Sequence, residues 1–282
     1  MKKLETLTDG FVFLEGPRWR EDLLYFSDMW GHAVYATSEQ GDVKKLADVP
    51  GRPSGLNFLP DGRLVVVSMA DRKLLEITEG GALTEYADLS GIVDSDINDS
   101  VVDQHGNIFI GNFGYDLFSG GEPKLATMVL VKKDGQSSVA AEGLNFPNGT
   151  VITRDGNTLI CAETFGHCLT AFDLDSEGRL KNKRVWADLG EHTPDGICLD
   201  AEGAIWVSSF VTGVFLRVQE GGNISEEITV EGKRAVACNL GGQNGNTFFA
   251  ITFEGEIEDI GGEGKKARIE VCQVEVPTAF SP

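Results

Sequence analysis

The stretch that decides the fold is Thr193-Pro194-Asp195-Gly196-Ile197-Cys198-Leu199-Asp200, followed by the turn Glu202-Gly203 and by Ala204-Ile205-Trp206-Val207-Ser208-Ser209. It reads as two apolar strands around a tight turn, with the Asp195 carboxylate at the entrance of the first. The same phrase recurs upstream with another polar residue in that place. Pro53-Ser54-Gly55-Leu56 leads to Asp61-Gly62, Asn98-Asp99-Ser100-Val101 to His105-Gly106, and Pro147-Asn148-Gly149-Thr150 to Asp155-Gly156. From Ser54, Asn98, Asn148 and Asp195 to the turn glycine the step is eight residues each time.

The second strand of each unit gives Leu24, Leu64, Ile108, Leu159, Ile205 and Phe248, which are 40, 44, 51, 46 and 43 residues apart. Helical periodicity is absent, and the short β-branched and aromatic runs are cut by Gly, Asp or Asn. Six units at this period predict an all-β fold, a six-bladed β-propeller of four-stranded antiparallel blades, occupying residues 1–282 as one domain. The sixth unit is one strand short. Residues Lys3 to Leu7 precede the first inner strand and are expected to supply the missing outer strand, closing the ring. The longest interval holds Phe113-Gly114-Tyr115-Asp116-Leu117-Phe118, expected to form a loop that walls or covers a pocket.

Composition narrows the function. A net charge of −20 argues against nucleic acid and favours cations over anionic partners. No apolar run is long enough to span a membrane, and no secretory signal is visible after Lys2-Lys3. The five cysteines lack CxxC spacing and read as small buried hydrophobes in a reducing compartment, so a cytoplasmic location is expected. Walker, GxGxxG, GxSxG and HExxH motifs are absent.

In a propeller the innermost strands stand around one channel, so the variable position of the repeat forms a ring at one end of it. That ring holds Glu15, Ser54, Asn98, Asn148, Asp195 and a small residue near Ala235 to Ala237. Singly, each polar residue reads as a turn or Asx-turn residue. Jointly, two carboxylates and two carboxamides converge on the axis, a hard-oxygen set that suits calcium or magnesium. His192, three residues before Asp195, reads as a solvated loop histidine.

Glu15-Gly16-Pro17, Asn98-Asp99, Pro147-Asn148-Gly149 and Pro194-Asp195-Gly196 resemble the signature of the senescence-marker-protein, gluconolactonase and luciferin-regenerating-enzyme family, from about Leu14 to Val276. The resemblance implies an axial divalent cation, commonly calcium, with magnesium, manganese or zinc as alternatives, and hydrolysis of a small lactone or ester. It implies Glu15, Asn148 and Asp195 as metal ligands, Asn98 near both metal and substrate, and Asp195 as the general base. Sugar-lactonase members carry an arginine where this chain has Asp96. Arg52, Met69, Phe113, Tyr115, Phe165 and Phe210, with Trp30, follow or flank strand ends, and with Asp96 they are the candidate substrate-binding residues. Their character suggests a substrate with an apolar body. The rival readings are a phosphotriester or fluorophosphate hydrolase on the same centre, and a non-catalytic calcium-stabilised binding platform.

Overall fold

The computed structural model describes residues 2–262 and 264–279. Six four-stranded antiparallel sheets are arranged as the blades of a propeller. The inner strands are Leu14–Arg20, Pro53–Phe58, Ile97–Val102, Pro147–Ile152, Pro194–Leu199 and Arg234–Gly241. Each pairs with the strand that follows it, across the predicted turns. In blade one the hairpin has no glycine; Glu21 and Asp22 take the left-handed conformation instead, with φ of 50° and 63°. Helix is confined to two single 3₁₀ turns, Thr164–Gly166 and Ile257–Asp259, among the described residues.

The blades face one another through their apolar surfaces. Leu24, Leu74, Ile108, Val129, Phe249 and Ile269 are fully buried in one cluster that runs through blades six, one, two and three, and Trp206, Phe215 and Phe248 fill the layer between blades five and six. Second strands read as near-continuous apolar runs because both of their faces are covered: Leu64–Ser68 and Ile205–Ser209 are buried at every position.

Glycines permit the inner strands to converge. A Cβ on Gly196 would lie 2.5 Å from the Ala237 Cβ, one on Gly149 would lie 2.9 Å from the Gly196 Cα, and one on Gly16 would lie 2.5 Å from the Ser54 carbonyl oxygen. The positions one past each ring residue therefore meet their neighbours around the axis. Because Ala237 stands opposite Gly196, the sixth ring position left open between Ala235 and Ala237 is Val236, fully buried.

Glu5–Phe11 pairs with Ala267–Gln273 as the outermost strand of blade six, so the ring is closed by the N-terminal segment as expected. It runs further than Leu7, reaching Phe11, whose ring packs edge-on against Phe26 at 5.2 Å. Deleting Met1 to Leu7 removes two of the five registered pairs, Glu5 with Val271 and Thr6 with Glu270, and leaves part of the Ala267–Gln273 edge unpaired. The unfolding midpoint is expected to fall by at least about 5 °C in a thermal melt; an unchanged midpoint would show that closure does not depend on this strand.

Candidate active site

Each blade carries a register irregularity where its inner strand meets the axis: between Glu15 and Arg18, Pro53 and Leu56, Ile97 and Ser100, Pro147 and Thr150, Pro194 and Ile197, and Ala235 and Ala237. A bulge leaves a residue unpaired and turns its side chain out of the ordinary alternation. Here it accompanies the ring position in every blade. Glu15, Asn98, Asn148 and Asp195 are each 7 % exposed or less.

The Asn148 carboxamide hydrogen-bonds to Asp195 and donates to Thr164 Oγ1 at 3.2 Å; Thr164 Oγ1 in turn donates to the Pro194 carbonyl at 2.7 Å. Asn98 donates from Nδ2 to the Pro147 carbonyl at 3.3 Å, and its Oδ1 lies 3.5 Å from Ser54 Oγ. These contacts fix both carboxamides between neighbouring blades. Burial pushes the Asp195 carboxyl up to about 8, against the Asn148 hydrogen bond and with the Asp99 charge adding to the rise. Glu15 is raised well above the usual carboxylate range, first by burial and then by Asp195 and Asp99, while the Gly16 backbone and Arg18 pull it down.

Two buried carboxylates whose burial and mutual charge favour the protonated form have the donor chemistry that a divalent cation takes. Among the described residues no group of three His, Cys, Asp or Glu side chains could hold a metal ion by itself. The ring's oxygen set is two carboxylates and two carboxamides, so its donors fit a hard divalent ion such as calcium better than zinc.

Outside the ring, on the same side, Arg52 and Phe146 occupy equivalent positions two residues before Ser54 and Asn148. Both have left-handed backbones, with φ of 67° and 61°, unusual for residues with side chains. Arg52 Nη2 donates to Asp96 Oδ2 at 2.5 Å, and its guanidinium lies 5.0 Å from the Trp30 ring and 4.9 Å from that of Phe118. The carboxylate at position 96 is thus paired with a guanidinium from the neighbouring blade. Phe146 stacks on Phe113 at 4.5 Å and contacts Phe165 at 4.9 Å and Tyr115 at 6.3 Å. In the loop after Asn112 Phe113 is buried and Phe118 is 40 % exposed, while Phe165, in the turn Thr164–Gly166, is 44 % exposed.

Other expected residues sit elsewhere. Met69 is fully buried in the core, with its backbone N–H donating to the Arg52 carbonyl, and Phe210 packs against Phe13. His192 has Thr212 Oγ1 at 3.0 Å from Nδ1, and its carbonyl lies 3.0 Å from His167 Nδ1. Sequence reasoning passed over Arg18, Thr164 and Phe146. It quoted Asp99 without giving it a role. For Phe146 and Arg18 the signal was proximity to Asn148 and Glu15 in the repeat.

A cavity of about 550 Å³ opens at the other end of the channel, lined by Arg18, Asn57, Val101, Val151, Cys198 and Asn239 among others. Each of these six lies three residues beyond a ring position, so the cavity backs onto the ring and holds none of its ligating groups.

Residues 13–254 match the SMP-30/gluconolactonase/LRE-like region. The chain belongs to this family. It is 25 % identical to regucalcin of Danio rerio over 82 % of this chain and 79 % of that protein. A gluconolactonase from Xanthomonas campestris superposes with a TM-score of 0.78 at 25 % identity, covering 97 % of this chain and 90 % of the other. A regucalcin from Agrobacterium tumefaciens, described as a calcium-binding protein, superposes with a TM-score of 0.83 at 20 % identity over 100 % and 97 % of the two chains.

The raised carboxyls dictate a pH dependence for the chelated protein. In the unfolded chain Glu15 and Asp195 titrate near 4. Folded, both hold their protons to higher pH, so the native state binds more protons between the two values and loses stability as pH rises from about 4 through about 8. In chelator, the midpoint of the wild type is expected to fall over that window by several degrees relative to a Glu15→Gln/Asp195→Asn variant. Saturating calcium should remove the fall. Parallel melts at pH 5, 6.5 and 8 read it directly.

Proposed function

We propose that this family member is a metal-dependent hydrolase of small lactones or related esters, with Glu15, Asn148 and Asp195 holding a divalent cation, calcium in the first instance, and Asn98 beside it. The observation that carries the reading is the buried pair of opposed carboxylates, joined by two carboxamides on the propeller axis. The family's gluconolactonases support lactone hydrolysis, and the calcium-binding regucalcin supports the choice of ion.

When bound, the cation supplies Lewis acidity, polarising an ester carbonyl and offsetting the charge that develops on its oxygen. Asn148, held by Thr164 and Asp195, and Asn98, held by Pro147, keep their carboxamides at the axis without rearrangement. Asp195 takes a proton from the attacking water and returns it to the leaving alkoxide oxygen as the acyl–oxygen bond breaks. Phe146, Phe165 and Tyr115 lie against the apolar body of the substrate, and Arg52 with Asp96 presents one polar edge.

Glu15→Gln and Asp195→Asn are each expected to lose the bound calcium and at least about 100-fold in turnover while the circular dichroism of the fold persists. Chelation of the wild type should do the same to activity. Calcium titration calorimetry alongside a lactone and ester panel makes the measurement. One calcium per chain retained in both variants would remove the axial site, and no turnover of any lactone or ester would remove the hydrolase.

The aromatic wall sets the expected preference. Burying an apolar ring face gains about 25 cal/mol per Å², whereas each buried hydroxyl left unpaired costs about 1–3 kcal/mol. An alkyl-substituted δ-lactone is therefore expected to exceed glucono-δ-lactone in kcat/KM by at least about tenfold, a difference of about 1.4 kcal/mol. Initial rates at matched pH and calcium, corrected for spontaneous hydrolysis, test it; a preference for gluconolactone would overturn it.

A further inference from the structure

Asp99 follows Asn98 directly, and its Oδ1 stands 2.8 Å from where a Cβ on Gly55 would lie, so it belongs to the inner layer of the ring. It is a third carboxylate there, 5 % exposed, and its charge reaches both Glu15 and Asp195. Its counter-ion comes from another blade. Arg18, three residues past Glu15 on the first inner strand, places Nη2 at 3.0 Å from Asp99 Oδ1 and 2.8 Å from the Ser100 carbonyl. Nη1 donates to the Pro17 carbonyl at 2.9 Å, which anchors the guanidinium at its near end. The side chains of Arg18 and Asp99 are 21 % and 7 % exposed, and Arg18 also lines the rear cavity. A buried ion pair is weak as a stabilising device, because desolvation offsets most of its attraction. Its effect here is on charge: the pair cancels one of three carboxylates around the axis.

We propose that Arg18 is the residue that sets the charge presented to the axial cation, neutralising Asp99 from behind the ring so that Glu15 and Asp195 alone face a divalent ion. Arg18 acts through Asp99; it is a positioning residue for charge and touches neither cation nor substrate. The inference rests on the metal reading given above, and it predicts effects of opposite sign. Arg18→Met keeps the length of the side chain, removes the positive charge, and leaves Asp99 to add to the ring. Asp99→Asn removes the third negative charge and leaves Arg18 unpaired beside Glu15. The double variant has neither charge and restores the balance.

Calcium affinity, read by titration calorimetry at one pH and ionic strength, is expected to rise about tenfold in Arg18→Met, to fall about tenfold in Asp99→Asn, and to return to within about threefold of wild type in the double variant. A pair that merely holds the blades together gives a different pattern: loss of affinity in each single variant and no recovery in the double. That pattern, or unaltered affinity throughout, overturns the inference and leaves the metal site standing. A wild-type protein that binds no calcium overturns both. Should Arg18→Met fail to fold with Asp99 unpaired, Asp99→Asn and the double variant still decide, since recovery on removing the second charge is an electrostatic signature.

Discussion

The molecule depends on how closely its inner strands can approach the axis. Directly after the ring residue stands glycine in four blades, and a Cβ at Gly16, Gly55, Gly149 or Gly196 would come within 2.5–2.6 Å of a neighbouring inner strand. Real Cβ contacts do not reach that distance, so these glycines set how tightly the ring can close. The bulge beside each of them redirects the preceding side chain. Together these two local devices bring residues from five blades into one small polar ring, although the blades themselves pack by ordinary apolar layers.

That convergence creates an electrostatic problem, which the surrounding residues define. Glu15 and Asp195 are both taken out of water, the Asp195 charge raises the Glu15 carboxyl further, and neither has a cationic side chain in hydrogen-bond contact among the described residues. Arg18 is taken by Asp99, and Arg52 by Asp96 at the mouth. The guanidinium groups of Arg18 and Arg52 are thus both committed to other carboxylates, and the axial pair has no cationic partner of its own among the described residues. Asn148 donates to Thr164, which donates to the Pro194 carbonyl, and this chain holds the carboxamide beside Asp195 in place before anything binds.

Much of the architecture was legible because it is written in local spacing. The constant eight-residue step from ring residue to turn glycine marks the hairpins, and the approximate period marks the blades. The missing strand of the last unit pointed to the N-terminus. The ring register of blade six was not legible, because the irregularity in Arg234–Gly241 shifts the spacing and two alanines flank Val236; three-dimensional opposition to Gly196 was needed to place it. The mouth was harder still. Arg52 and Asp96 lie 44 residues apart and meet because adjacent blades meet. Position after a strand end suggested the same exposure for Met69, Phe210 and Phe165, but the turn that follows decides whether a side chain folds back. Met69 and Phe210 fold into the core, while Phe165, in a 3₁₀ turn, stays outside.

The pairing of Glu5–Phe11 with Ala267–Gln273 joins the first strand of the chain to the last. During synthesis the first of these emerges about a quarter of a thousand residues before its partner, and until then it is a strand with nothing to bond. At a ribosomal rate of about 5–20 residues per second that interval lasts on the order of ten to fifty seconds. As successive blades form they build an open arc whose two ends expose apolar blade faces, and blade six is complete only once Ala267–Gln273 has emerged. The acidic character of the chain, −20 overall, keeps such arcs from associating while they wait. Closure of the ring is therefore a late event, and Glu15 on Leu14–Arg20 and Asp195 on Pro194–Leu199 come into final register when Glu5–Phe11 and Ala267–Gln273 pair.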